Sequence, residues 1–196
     1  MIKIGLCGSP CTGKTTIAQN FSSKLRFITK SKVELIDEYA RIFVKKFGKA
    51  NLYDQYLIAH HQIDKEEQIK DVDYLVTDSA GFSGLIYSYK SVNWNNPKDV
   101  FFIQEIYSIL INNFHSYDYL FFCPYLPIHN NVANDGFRVH LQPEELKKIN
   151  KNFVSFLDLH NIIFFTLKGS LDEKIDSMIE IILGNNNANY NQKQKN

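Results

Sequence analysis

Gly8-Ser9-Pro10-Cys11-Thr12-Gly13-Lys14-Thr15 is the stretch of sequence that decides the fold. It has the form G-x-x-x-x-G-K-[ST], the phosphate-binding P-loop, and it directly follows an apolar run over residues 2–7. The two glycines let the backbone curl so that its N–H groups point at a phosphate, and a helix beginning near Gly13 adds the positive end of its dipole. The alternative, a Gly-rich turn with a surface lysine, is disfavoured by this strand-to-helix context, so we predict that the chain binds a nucleoside triphosphate.

Each part of this loop has an expected role. Lys14 is expected to reach the β- and γ-phosphates, and the Thr15 hydroxyl to ligate Mg²⁺. The predicted nucleotide-binding residues are Gly8, Ser9, Pro10, Cys11, Thr12, Gly13, Lys14, Thr15 and Thr16.

Composition narrows the class of protein. The chain has 196 residues, 44% of them hydrophobic, and a formal net charge of +1. We therefore expect one α/β domain, and the charge suggests neither a nucleic-acid nor a membrane partner. Three cysteines without metal-ligand spacing, together with the absence of a signal peptide or a long apolar run, favour a reduced, cytoplasmic location.

Five short apolar runs alternate with helical patterns. Right-handed crossovers then predict a three-layer P-loop fold, with a five-stranded parallel sheet and helices on both faces. We expect one domain over residues 1–184, a lid over about 125–142 and a disordered polar tail over 185–196. The predicted strands are 2–7, 33–36, 74–77, 119–123 and 162–167, and the predicted helices are 14–25, 38–47, 51–69, 84–89, 100–114, 143–157 and 171–183.

Acidic residues follow two of these strands, where ligands gather in parallel sheets. Asp78 ends the third strand and is expected to orient Mg²⁺ beside Thr15, the alternative being a turn-forming Asp. Asp37 and Glu38 end the second strand and could align an acceptor hydroxyl and take its proton. Asp37 could instead cap the following helix. Arg41 lies one turn further on and could face the same cleft or pair with a surface acid.

The two remaining candidate segments are loops. The stretch 125–142 is polar and contains Asp135, a candidate for acceptor contact, and Arg138, one of only three arginines in the chain. Arg138 is the candidate to close over the transferring phosphate. Lys168-Gly169-Ser170 follows the fifth strand and could hold the base of the nucleotide, although Ser170 would also serve as a helix cap.

Four sequence segments together resemble the nicotinamide-riboside-kinase-like branch of P-loop kinases. This branch includes the kinase domain of the bifunctional NAD biosynthesis regulators and is sometimes classified as an AAA-type ATPase domain. The four segments are Gly8 to Thr16, Asp37-Glu38-Tyr39-Ala40-Arg41, Asp78 and Asp135-Gly136-Phe137-Arg138. The resemblance implies an ATP- and Mg²⁺-dependent kinase whose acceptor is a nucleoside-like hydroxyl, most specifically nicotinamide riboside. By the same match, Lys14 and Thr15 would hold phosphate and metal, Glu38 would lie near the acceptor, Asp78 near Mg²⁺, and Arg138 in the lid.

Other hypotheses about the function stay open at this point. A nucleoside monophosphate or deoxynucleoside kinase is the nearest, and the former should carry several arginines for the acceptor phosphate. A nucleotide-binding regulatory ATPase without a small-molecule acceptor belongs to another class. The sequence also leaves a homo-oligomer open.

Overall fold

The computed structural model describes residues 1–126 and 142–184, apart from the side chains of residues 82 and 83. Five parallel strands form one sheet in the order β2-β3-β1-β4-β5. The strands are β1 (Ile2–Cys7), β2 (Val33–Ile36), β3 (Tyr74–Thr77), β4 (Tyr119–Phe122) and β5 (Phe165–Thr166). The helices are α1 (Lys14–Thr29), α2 (Tyr39–Phe47), α3 (Leu52–Gln68), α4 (Phe82–Ser91), α5 (Pro97–His115), α6 (Pro143–Leu159) and α7 (Leu171–Gly184).

Helices cover both faces of the sheet, which confirms the three-layer α/β fold. On one face α1 and α7 pack against the sheet, and the α1 side chains Phe21 and Leu25 are fully buried. On the other face α3, α4, α5 and α6 enclose a second core around Ile106 and Phe153. Ile17, Ala18, Phe21 and Leu25 recur at helical spacing, which predicts one apolar face of α1, and all four are buried.

Local capping explains where several helices begin. Asn51 and Asp54 form a reciprocal capping box at the start of α3. Asn96 caps α5, and Pro97 occupies its first position. A proline is tolerated there because the N–H at that position makes no hydrogen bond within the helix. These two signals place the start of α5 three residues earlier than the predicted boundary at residue 100.

Two sequence-based expectations need correction. The fifth strand spans only Phe165–Thr166, not 162–167, because the Ile162 N–H bonds to the Leu157 carbonyl at 2.9 Å and closes the end of α6. The apolar residues Tyr39, Ile42, Phe43 and Phe47 recur at helical spacing and predict a buried face for α2, yet none of its residues is buried and Phe47 is 61% exposed.

None of the helices within residues 1–126 and 142–184 is both long and apolar enough to cross a membrane.

The P-loop leaves β1 in tight contact with the end of β4. Gly8 has a φ of +135°, and a Cβ placed on it would stand 2.3 Å from the Cys123 carbonyl oxygen. The Cys123 N–H bonds to the Cys7 carbonyl at 2.8 Å, so this approach is held by the backbone. Only glycine fits here, because any side chain would meet both an unfavourable φ and a fixed backbone atom.

Gly8→Ala should therefore destabilise the fold more than Gly13→Ala does. At Gly8 we expect a backbone strain of about 1–3 kcal/mol together with an overpacking cost of about 1–3 kcal/mol. Gly13 has a φ of +82° but nothing within 4 Å of an added Cβ. The stability lost in Gly13→Ala should therefore be limited to the cost of the left-handed backbone, about 1–2 kcal/mol. Urea denaturation of both variants measures the difference, and equal losses would contradict the steric account.

Candidate active site

The phosphate loop has the backbone shape that an anion cradle needs. Gly8, Cys11 and Gly13 all have positive φ, and Gly13 precedes α1 in the left-handed conformation. No side chain caps the start of α1. The first N–H groups of a helix have no partner inside the helix, so these donors suit a phosphate oxyanion.

The Lys14 side chain lies within this loop. It is 8% exposed, and its Nζ donates to the carbonyl oxygens of Gly8 at 3.1 Å and Ser9 at 2.8 Å. The Thr12 hydroxyl donates to the same Ser9 carbonyl at 3.0 Å and so holds the turn together. The structure thus places the predicted phosphate-binding cation inside the loop.

Asp78 is a buried carboxylate at the carboxyl end of β3. It is 1% exposed, and neither of its oxygens accepts a hydrogen bond of normal geometry from the described residues. Burial raises its pKa, and the charge of Glu38 adds to this rise. The nearby Thr15 hydroxyl and the cations Lys14 and Arg41 lower the pKa. These influences show that the five side chains share one electrostatic environment.

The donor set at Asp78 fits a magnesium ion. No group of three or more His, Cys, Asp or Glu side chains that could hold a metal occurs in residues 1–126 and 142–184. Magnesium in nucleotide sites needs only one or two protein oxygens, because phosphate oxygens and waters complete its octahedron. The free oxygens of Asp78 and the Thr15 hydroxyl would supply them.

Glu38 and Arg41 reach the same cluster from the end of β2. The Arg41 Nη2 donates to the Thr15 Oγ1 at 2.9 Å and lies 3.5 Å from the Glu38 Oε2. Asp37 is exposed and contributes no contact to the cluster among the residues described. Helix α2 starts after Glu38 without any side-chain cap, so the capping role considered for Asp37 is wrong.

A small pocket adjoins this cluster, because Glu38 lines it. It encloses about 20 Å³ between the end of β2, α3 and the start of α4. Sequence reasoning missed its α3 wall, although the spacing of Gln55, Ile58, Ala59 and Gln62 marks one helical face. Its lining includes Glu38, Ile58, Ala59, Gln62, Ser79 and Gly84.

A larger open groove of about 620 Å³ lies at the opposite edge of the sheet. Arg26, Lys32 and Val33 line it, at the amino end of β2. Arg26 donates to the Val33 carbonyl there and so is far along the strand from the cluster. Since the P-loop and Asp78 lie at the carboxyl ends, the small pocket is the one that belongs to the candidate site.

The remaining predicted site residues divide into two groups. Lys168, Gly169 and Ser170 lie at the carboxyl end of β5, and the Ser170 Oγ accepts from the Glu173 N–H at 3.3 Å, which confirms its capping role. Arg138 and Asp135 lie outside the described residues, so their roles stay predictions.

A family model described as "AAA domain" matches residues 3–174. The chain belongs to this AAA domain family. No curated protein matches the AAA-domain chain in sequence.

Several solved structures share the fold of this AAA-domain protein. Deoxyadenosine kinase from M. mycoides with bound dATP is 17% identical at a TM-score of 0.67, covering 93% of this chain and 100% of that one. Thymidylate kinase from Candida albicans is 20% identical at 0.67, covering 95% and 92%. The NadR protein in complex with NR is 16% identical at 0.68, covering 91% of this chain but only 51% of NadR. At these identities the likeness establishes the P-loop kinase fold.

Asp78→Asn should raise the melting temperature of the nucleotide-free protein at neutral pH. Because the pKa of Asp78 is raised in the folded state, ionising it opposes folding, and this penalty grows as pH rises above the unfolded pKa of about 3.9. Each kcal/mol of this ionisation cost that the variant removes should raise the melting temperature by roughly 2–4 °C. The rise should fade as pH approaches 4. Melting curves across pH measure it.

Asp64→Asn is the matched control, since Asp64 is exposed on α3 and should show no such gain. The same Asp78→Asn variant should lose the extra stabilisation that Mg²⁺ adds to ATP. A lower melting temperature at pH 7 would overturn the account of an unsatisfied buried carboxylate.

Proposed function

We propose that this protein is an ATP- and Mg²⁺-dependent kinase that transfers the γ-phosphoryl group to a hydroxyl of a nucleoside-like acceptor. The observation that carries the proposal is the position of Glu38. Glu38 lines the pocket beside α3, and its carboxylate pairs with Arg41, which bonds to Thr15 of the P-loop. This position supports Glu38 as the proton acceptor between the proposed acceptor pocket and the phosphate loop.

The proposed reaction uses these side chains in distinct roles. The acceptor oxygen attacks the γ-phosphorus, its proton passes to Glu38, and the bond to the bridging oxygen of ADP breaks. Lys14 and Arg41 neutralise the charge that develops on the transferred group. Magnesium held by Asp78 and Thr15 would screen the phosphate oxygens. Arg138 remains the predicted lid cation.

Nicotinamide riboside is the first candidate acceptor, supported by the sequence resemblance and by the shared fold of the NadR complex with NR. A deoxynucleoside is the second, because the deoxyadenosine kinase is covered over its whole length. A nucleotide acceptor is disfavoured. Of the two arginines within the described residues, only Arg41 lies at the site, and an acceptor phosphate needs several cations.

Incubation with Mg²⁺, ATP and an acceptor panel tests the proposal. The panel contains nicotinamide riboside, 2′-deoxyadenosine, thymidine, dTMP and shikimate, and phosphate transfer is followed by chromatography. We expect a nucleoside to be phosphorylated and dTMP and shikimate to be inert. If ATP binds but no compound is phosphorylated, the regulatory ATPase becomes the better explanation.

Glu38→Gln should lower kcat by at least about 100-fold, the contribution of a positioned general base, while ATP affinity stays unchanged. Glu34→Gln is the matched control, because Glu34 lies exposed on the same strand. Initial rates at saturating ATP, with ATP binding measured by calorimetry, separate the two effects. A normal kcat in Glu38→Gln would remove Glu38 from the base role.

A further inference from the structure

Two buried glutamines on α3 carry polar atoms that the fold leaves unsatisfied. Gln55 and Gln62 are 5% and 4% exposed. The Gln55 Oε1 and the Gln62 Nε2 have no hydrogen-bond partner among the residues that the structure describes. The Gln62 Oε1 accepts from the Tyr39 N–H at 2.8 Å, which directs its Nε2 elsewhere. A buried polar group without a partner destabilises the folded state, and here two such groups lie on one helix face.

One of the two glutamines lines the acceptor pocket, and the other lies beside Gly84, which also lines it. Gln62 lines it directly, at the same end as Glu38. Gly84 lines the α4 side, and the Gln55 Oε1 is 3.6 Å from the place that a Cβ on Gly84 would take. The two glutamines are two helical turns apart, a rise of roughly 10 Å.

The surface between the glutamines is apolar. Ile58 and Ala59 line the pocket between them and offer no hydrogen-bonding side chain. The wall is therefore polar at the Glu38 end, apolar in the middle and polar again at Gln55. A ligand that matches this order has hydroxyls at one end, a flat ring in the middle and a hydrogen-bond donor on its far edge.

We propose that Gln55 and Gln62 are the acceptor-recognition residues of this protein. Gln62 donates through Nε2 to a sugar oxygen, and Gln55 accepts through Oε1 an N–H from the edge of the base. The inference rests on the proposed kinase function and narrows it. The acceptors are nucleosides whose base carries an exocyclic N–H donor, whether the carboxamide of nicotinamide or the amino group of adenine.

Entry of such a ligand requires the pocket to open. About 20 Å³ holds little more than one water molecule. Helix α2 is the wall that can move, because it buries none of its side chains. Its contacts with α3 include the bond from the Tyr39 N–H to Gln62 and the packing of the Tyr39 ring on His61. An acceptor that binds Gln62 would therefore also change the position of α2 and of Glu38 beside it.

Matched nucleoside pairs test the donor requirement and identify its source. Nicotinamide riboside is compared with nicotinic acid riboside, and 2′-deoxyadenosine with purine 2′-deoxyriboside. In each pair only the first carries the N–H donor. For the pair that contains the true acceptor, kcat/KM should fall at least about 100-fold without the donor, because the Gln55 Oε1 then stays buried and unpaired. Equal kcat/KM within both pairs would overturn the proposal.

Two variants test the residues themselves. Gln55→Leu should bring the ratio within the pair close to one without lowering the melting temperature, since it removes an unsatisfied amide. Gly84→Ala should raise the acceptor KM by filling the space beside Gln55, while the fold keeps its stability, because 3.6 Å is ordinary contact and alanine favours helix. Gln68→Leu, exposed on the same helix, is the control and should match the wild type.

The outcome separates this inference from the kinase proposal. If transfer occurs and Gln55→Leu keeps the full discrimination, the kinase stands and the recognition role is wrong. If no nucleoside is phosphorylated, calorimetry with the same four nucleosides and ADP decides. Binding that needs the N–H donor and is lost in Gln55→Leu would support the recognition site without the kinase. Absence of binding by all four nucleosides would overturn it.

Discussion

Strand β1 lies at the centre of the sheet, and both of its neighbours run parallel to it, so three strand ends meet at one edge. Gly5 of β1 is paired with Thr77 of β3, and Cys7 with Phe122 of β4. The loop that leaves β1 must therefore pass between Asp78 and the Cys123 carbonyl. The close approach at Gly8 is what this passage requires, and it places Lys14 and Thr15 within electrostatic reach of Asp78.

The charged side chains at this edge hold one another through contacts that nucleotide binding would have to exchange. Lys14 is bonded to two loop carbonyls, and Arg41 is bonded to the Thr15 hydroxyl that is proposed as a metal ligand. Arrival of a phosphate and a magnesium ion would replace these bonds rather than add to them. Net affinity then depends on the groups that have no bond to exchange, which are the uncapped N–H groups at the start of α1 and, among the described residues, the Asp78 oxygens. Its burial opposes folding in the free protein, but the same burial would strengthen its attraction to a cation.

The sequence predicted the fold well where hydrophobic periodicity agrees with the capping and turn residues at the ends of helices and strands. It predicted the site less completely. The buried face of α1 follows directly from apolar residues at helical spacing. Asp37 and Glu38 could not be told apart, because adjacent residues at a strand end point in opposite directions and the backbone turn at Glu38 decides which one enters the cleft. The α3 glutamines were missed since a polar residue on a buried face can be distinguished from one on the surface only after the neighbouring elements are placed. The short β5 depends on how α6 ends, which no strand pattern reveals.

The exposed apolar side of α2 is consistent with a helix that moves when the pocket opens. A helix with the pattern of Tyr39, Phe43 and Phe47 normally buries one face. Here the Tyr39 ring lies 3.8 Å from the His61 ring of α3, whereas Phe43 and Phe47 pack on each other at 4.9 Å. Such a helix gains little from its present position, so displacing it is inexpensive compared with moving a helix that belongs to the core. Glu38 stands at its first turn and Arg41 one turn later, which means that a shift of α2 carries the proposed base and the Thr15 contact together. Opening of the acceptor pocket and rearrangement around Thr15 are thereby coupled through one short helix, and this coupling would delay assembly of the reactive arrangement until an acceptor is present.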